Sequence, residues 1–295
     1  MMKLLPKTKG HLSAVLCVLV WGVSFTASKR LLAYYMPVQL MFMRFVIAYG
    51  CLWLLHPRWE KLDLREELRY FFMGLTGCTL YFTAENTALT MTYASNVSTI
   101  VAFAPILTAI LAHFCAPGGK KITLWTWIGF VIALLGVVLV VFNGAFILRL
   151  SPAGDLLALA TAMMWAVFSV LQERALLHRS SLFITRKVMF YGIVTCLPWF
   201  LTTLRDFSPA PLFASAVNAG CLLFLAVLGS AVCYLAWCTA ERELGIVAVS
   251  SYIYVIPFIT LAAGAVLLGE AISPAGVMGA VLIVGGVWAA SRQPS

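Results

Sequence analysis

Long apolar runs separated by short polar breaks set the plan of this chain. A helix needs about 20 mostly apolar residues to cross a bilayer. Ten stretches meet that length, near Gly10–Ser28, Pro37–Leu55, Leu68–Met91, Asn96–Phe114, Leu124–Phe142, Gly154–Leu171, Phe183–Leu201, Ala216–Thr239, Ile246–Leu268 and Pro274–Ala290. Their apolar character is continuous and lacks the alternation of barrel strands, so the pattern predicts an all-α integral membrane protein with ten transmembrane helices.

The fourth stretch, YASNVSTIVAFAPILTAILAHF from Tyr93, starts with small polar residues, turns apolar and carries Pro105 near its middle. The ninth, IVAVSSYIYVIPFITLAAGAVLL from Ile246, repeats the design around Pro257. Other features recur in the same order. Trp21 answers Trp165 at an offset of 144, Arg44 answers Arg186 at 142, Pro105 answers Pro257 at 152, and Gly136 answers Gly286 at 150. The chain therefore divides into two five-helix units, residues 1–143 and 144–295. An odd number of helices makes the second unit enter the membrane from the opposite side. Such inverted repeats place a site near the midplane, between the halves.

Composition fits this reading, with 62% hydrophobic and 11% charged residues. The net charge of +9 does not form one patch and is not read as a nucleic-acid surface. Placed on the ten-helix plan, 15 basic residues fall on the side of the N-terminus and 4 on the other, with Arg44 left inside a span. The positive-inside rule then puts both termini in the cytoplasm. The first apolar run follows Lys3, Lys7 and Lys9 like a signal peptide, but its length and the poor cleavage site at Thr26-Ala27-Ser28 favour a retained helix. Eight cysteines lie in or beside spans without a CxxC, and four histidines are scattered. Neither disulfides, a metal site nor a cofactor is expected.

Polar groups inside spans are the candidate site, because burying them in lipid is costly. Arg44 and Glu85 sit at similar depth and are expected to meet, either as a structural ion pair or as a substrate or proton site, with Arg186 and Glu241 as a counterpart in the second half. Asn86, Asn96 and Thr99 lie close in depth to Glu85, and Ser251 and Tyr254 correspond to them in the second half. They either contact substrate or bond helix to helix. Trp21, Tyr81, Trp165 and Tyr254 form a lining for an apolar or aromatic solute, or pack the bundle. Pro105 and Pro257 act as hinges or as static kinks. Gly129, Ala133, Ala275 and Gly279 suit close packing of the fifth and tenth helices.

Trp21-Gly22, Arg44-Phe45, APILTAILA around Pro105 and PFITLAAGAVLLGEAISPAGVMGAVLIVGGV from Pro257 carry a resemblance over nearly the whole chain. The chain resembles the ten-helix EamA-type branch of the drug/metabolite transporter superfamily. The resemblance implies an inner-membrane carrier exporting a small organic metabolite, such as an amino acid or a drug, with helices one, three, four, six, eight and nine around the cavity. No GxxxxGK[ST] phosphate loop occurs, so the chain is not expected to hydrolyse ATP itself. The rival readings are an integral membrane enzyme, for which no clustered acidic or histidine motif is present, and a channel-like subunit. The expected partners are a small-molecule substrate and the lipid bilayer. Monomer and homo-oligomer both remain open.

Overall fold

A computed structural model describes residues 6–268 apart from 59, 61, 116–123 and 143–151, together with 274, 277–279, 281, 282, 285 and 286. The described residues form helices and no strands. In chain order the principal ones are α1 (Pro6–Leu31), α2 (Pro37–Leu55), α3 (64–91), α4 (94–115), α5 (Leu124–Phe142), α6 (Pro152–Leu176), α7 (Ser181–Thr202), α8 (Ala216–Leu244) and α9 (246–268). Six are long and apolar enough to cross a membrane, and a seventh qualifies if α7 and the bent segment after it count as one span. The Pro274–Ala290 stretch lies only partly within the described residues, which are helical there.

The helix ends follow from local chemistry. Pro37 opens α2, where its missing N–H costs nothing, and the Met36 N–H donates to Gln39 Oε1 at 3.0 Å. Asp63 caps α3 by accepting from the Glu66 N–H at 2.7 Å, and Ser180 caps α7 through the Phe183 N–H at 3.3 Å. Gly245, at φ 85°, ends α8 in a backbone region that only glycine enters cheaply.

Two helices depart from α geometry in mid-course. Residues Leu75–Leu80 of α3 and Phe224–Val232 of α8 are π-helical. Two others break beside their prolines. In α4 the helix stops at Val101, turns through Ala102 and Phe103, and restarts at Ala104 with Pro105 in its first turn. In α9 a 3₁₀ stretch, Ser251–Val255, precedes the restart at Ile256 and Pro257. Proline is tolerated in a first helical turn and not in an interior, so both breaks sit where the sequence demands them.

Packing joins the two halves of the chain throughout. Helix α1 lies against α8 and α9, α2 against α7 and α8, and α3 against α6 and α7. Small residues permit the close approaches. A Cβ on Gly74 would sit 2.7 Å from the Gly192 backbone nitrogen of α7, and one on Gly77 would meet the Phe168 ring of α6 at 2.3 Å. A Cβ on Gly286 would lie 2.7 Å from the Gly129 carbonyl oxygen and 2.5 Å from the Ala133 nitrogen, so Gly286 packs tightly against α5. Hydroxyls bond across helices, as Thr79 does to the Gly192 carbonyl at 3.1 Å and Thr260 to that of Gly22 at 2.9 Å.

Charge gathers at the ends of the bundle. At one end Arg179 bridges Glu60 at 3.3 Å and Glu66 at 2.9 Å, and Lys187 bridges Glu67 at 2.7 Å. The hydrogen bond from Arg179 to Glu66 raises the guanidinium pKa above its ordinary value. At the other end Lys29 donates to the Thr92 carbonyl at 2.6 Å and Arg30 to Asn218 Oδ1 at 2.9 Å.

Candidate functional site: a central cavity

Between the two charged ends lies a cavity walled by side chains of several helices. Its wall draws Trp21, Ser24 and Phe25 from α1, Arg44 from α2, Tyr81, Phe82 and Glu85 from α3 and Val101 from α4. Trp165 of α6, Tyr234 of α8 and Ile253 and Ile256 of α9 complete it. Every principal helix except α5 and α7 contributes.

Aromatic rings form the frame. Trp21 and Trp165 meet edge to face with centroids 5.3 Å apart, Trp165 contacts Tyr81 at 5.4 Å and Tyr234 at 6.1 Å, and Trp237 supports both tryptophans at 5.0 and 6.0 Å. These separations fall in the range of favourable ring pairs. The π-helical stretches anchor the frame. Trp21 Nε1 donates to the Gly229 carbonyl at 2.9 Å, and the Tyr234 hydroxyl donates to the Gly77 carbonyl at 2.6 Å. Irregular helix turns of this type occur often at functional sites.

The two charges of the wall do not meet as expected. Arg44 and Glu85 are 1% and 4% exposed and face the same cavity within electrostatic reach, but no salt bridge joins them. Arg44 is held from other directions: Nε donates to Ser230 Oγ at 2.9 Å, and Cζ lies 4.2 Å from the Phe82 ring centroid. The Arg44 Nη1 and Trp165 Nε1 donors have no partner. The anticipated second pair is absent too. Glu241 accepts from Gln172 Nε2 at 2.5 Å and from Trp237 Nε1 at 2.9 Å, whereas Arg186 donates to the His56 carbonyl and lies 5.3 Å from the Trp53 ring. Lys187 and Tyr191, one turn apart and one and five residues beyond Arg186, bond Glu67 of α3 instead.

Other singled-out residues lie off the wall. Asn86 is buried with Nδ2 donating to the Pro37 carbonyl at 3.3 Å, and its Oδ1 has no partner. Thr99 is buried with its hydroxyl unpartnered. Ser251 bonds back to the Ala248 carbonyl at 2.7 Å. Tyr254 packs beside Phe130 of α5 at 6.1 Å, with an unpartnered hydroxyl. The Asn96 side chain lies outside the described residues. Pro105 and Pro257 stand one turn beyond Val101 and Ile253, and having no N–H they cannot bond those residues' carbonyls in the α pattern. Ser24, Phe25, Phe82, Val101, Tyr234, Ile253 and Ile256 are wall residues that the sequence pattern did not single out as site candidates. The recurrence of Tyr81 as Tyr234, each just past a π-helical stretch, was the signal available for one of them.

The profile of the EamA-like transporter family matches this chain twice, over residues 8–142 and 152–292. The chain belongs to the EamA-like transporter family. Its relatives include an uncharacterized transporter of Bacillus subtilis, YvbV, which is 29% identical across 96% of this chain and 92% of its own length. A probable terminal-alkyne amino-acid exporter of Streptantibioticus cattleyicolor is 26% identical across 97% and 94%, respectively. A probable amino-acid metabolite efflux pump of Escherichia coli is 25% identical across 95% and 94%. A solved crystal structure superposes with a TM-score of 0.76 at 20% identity, covering 96% of both chains, and so shares the fold. As an EamA protein the chain is a multi-pass, all-helical membrane transporter.

Proposed function

We propose that the chain is a secondary carrier that exports a small organic metabolite of the amino-acid or drug type by alternating access. It does so with ten spans in two inverted five-helix repeats, residues 1–143 and 144–295, with both termini on the cytoplasmic side of the inner (plasma) membrane. The observation that carries this reading is the cavity itself, walled by helices from both halves of the chain and lined by rings with two buried charged side chains, Arg44 and Glu85. The double family match and the named exporters among the relatives support it. Pro105 and Pro257 are the hinges, because each stands where its helix already loses α geometry against the cavity wall. Rocking the halves about these points would open the chamber to one side and then the other.

Counterflow in proteoliposomes tests the proposal. A carrier gives saturable uptake of a labelled solute that accelerates when unlabelled solute is loaded inside. Flux that rises linearly without such acceleration indicates a channel, and a chemically altered product indicates an enzyme. For the topology, single cysteines in a cysteine-free background should be shielded from an impermeant thiol reagent in intact cells at Ser180 and reactive at Ser208.

A further inference from the structure

We infer that Trp237 is the gate that shuts the chamber toward the end where α1 begins and α8 finishes, with Glu241 and Gln172 as positioning residues that hold it closed. This rests on the carrier reading and supplies one of the two closures that alternating access requires. Three observations carry it. First, α8 leads from the wall to that end along one face. Tyr234 is on the wall, Trp237 follows three residues later and Glu241 four after that, spacings that stack on one side of a helix. The Trp237 ring lies behind the two wall tryptophans, its centroid 5.0 Å from that of Trp21 and 6.0 Å from that of Trp165. Trp21 comes from the first half of the chain and Trp165 from the second, so one ring covers the seam between them.

Secondly, the chain is closed tightly on that side. Cys17, Gln172, Cys233, Cys238 and Glu241 are all buried, Cys17 Sγ of α1 donates to the Cys233 carbonyl of α8 at 3.2 Å, and a Cβ on Gly10 would lie 2.8 Å from the Leu244 side chain. Thirdly, a carboxylate ties the ring in place. Trp237 Nε1 donates to Glu241 Oε1 at 2.9 Å, and Gln172 Nε2 of α6 donates to Oε2 at 2.5 Å. For static packing an aliphatic residue would fill this place at less cost, because a buried carboxylate must find donors for both oxygens. A moving ring gives the carboxylate a use. In the closed state it holds the indole N–H, and when the ring swings aside the water that enters hydrates it, so opening strands no charge.

The test uses the full-length protein in membrane vesicles, with Ser24→Cys on the chamber wall as reporter in a cysteine-free background and a charged, impermeant methanethiosulfonate as probe. A Ser180→Cys control identifies the face in question, since Ser180 opens α7 beside Arg179, whose carbonyl accepts from Arg242 of α8. From that face the Ser24→Cys thiol should react slowly, and adding Trp237→Ala should speed it by about ten-fold while its rate from the opposite face stays unchanged. Glu241→Ala and Trp237→Phe each break the tie and should give most of that gain, alike singly and together. Glu241→Gln, whose amide oxygen still accepts from the indole, should stay near the parent. A residue that only stabilises the fold would raise labelling from both faces. An unchanged rate in Trp237→Ala, or a gain from both faces, overturns the gate. Where that variant does not insert, Glu241→Ala against Glu241→Gln decides, and equal rates overturn it. Counterflow by the parent protein separates this from the carrier reading. Counterflow without the one-sided gain sinks the gate and keeps the carrier, whereas the one-sided gain without counterflow keeps the gate and sinks the carrier.

Discussion

Trp21 and Trp165 stand edge to face across the centre of the protein, their rings at 83°, yet only one of the two indole nitrogens is bonded. Trp21 donates to the Gly229 carbonyl of the π-helical stretch of α8, and Trp165 donates to nothing. The two tryptophans are alike in burial and different in what they hold.

That difference makes the first prediction. Trp21→Phe removes a buried hydrogen bond and leaves the Gly229 carbonyl short of a donor, at a cost of about 1–3 kcal/mol. Trp165→Phe removes no bond and should cost clearly less. Thermal unfolding in detergent compares them, and equal losses would show that the Gly229 bond contributes nothing.

Glycines supply a second contrast. Gly74→Ala would place a methyl within 2.7 Å of the Gly192 backbone, which cannot step aside, and should destabilise by about 1–3 kcal/mol. Gly50→Ala in α2 meets nothing within 4 Å and should stabilise by several tenths to about 1 kcal/mol through helix propensity. The midpoint of thermal aggregation should move down for the first and up, or not at all, for the second.

The third concerns the charged end. Glu67 serves two groups at once, Lys187 at 2.7 Å and the Tyr191 hydroxyl, and the Lys187 side chain is 6% exposed. Glu67→Gln should therefore cost about 1.5–3 kcal/mol, the scale of a hydrogen bond to a charged group. Glu60→Gln breaks only the bridge to Arg179, in which both side chains are about a third or more exposed, and should cost roughly 0–1 kcal/mol. High salt should narrow the gap only slightly if burial shields the Glu67 pair.

Fourthly, Pro105→Ala and Pro257→Ala should express and insert normally but slow exchange several-fold, because restoring an N–H lets the helix run straight across its break. Unchanged rates in both variants would leave the prolines as static kinks.

Much of the helical plan was legible because a bilayer forces long apolar runs, and the charged and ring-bearing parts of the wall stood out because such residues are rare in spans. Side-chain direction was not legible where helices lose α phase. Asn86 follows Glu85 by one residue, about 100° around the helix, and so turns from the cavity to the Pro37 carbonyl of α2. In α9 the 3₁₀ stretch hands the wall to Ile253 and Ile256 in place of Ser251 and Tyr254. An aliphatic wall residue carries no mark that separates it from a lipid-facing one. The Arg44 to Glu85 pairing failed for a different reason: matched depth does not tell which neighbouring helix a long side chain will lean on, and Arg44 leans on α8.

The π-helical stretches have a consequence for how such a chamber changes over evolutionary time. A π turn holds more residues than an α turn, so losing a single codon within 224–232 would let α8 return to α geometry. The residue given up would be the one the π turn already absorbs, so Cys233 onward would keep roughly its phase and Tyr234 its place on the wall, while the carbonyls that the π geometry frees, that of Gly229 towards Trp21 among them, would return to the helix ladder. The same holds for 75–80 and Tyr81. A relative that lost one residue at either place would keep its membrane architecture and its wall tyrosines yet lose the backbone acceptor that fixes a facing ring, Gly229 for Trp21 or Gly77 for Tyr234, so a single-residue deletion loosens the frame without moving it.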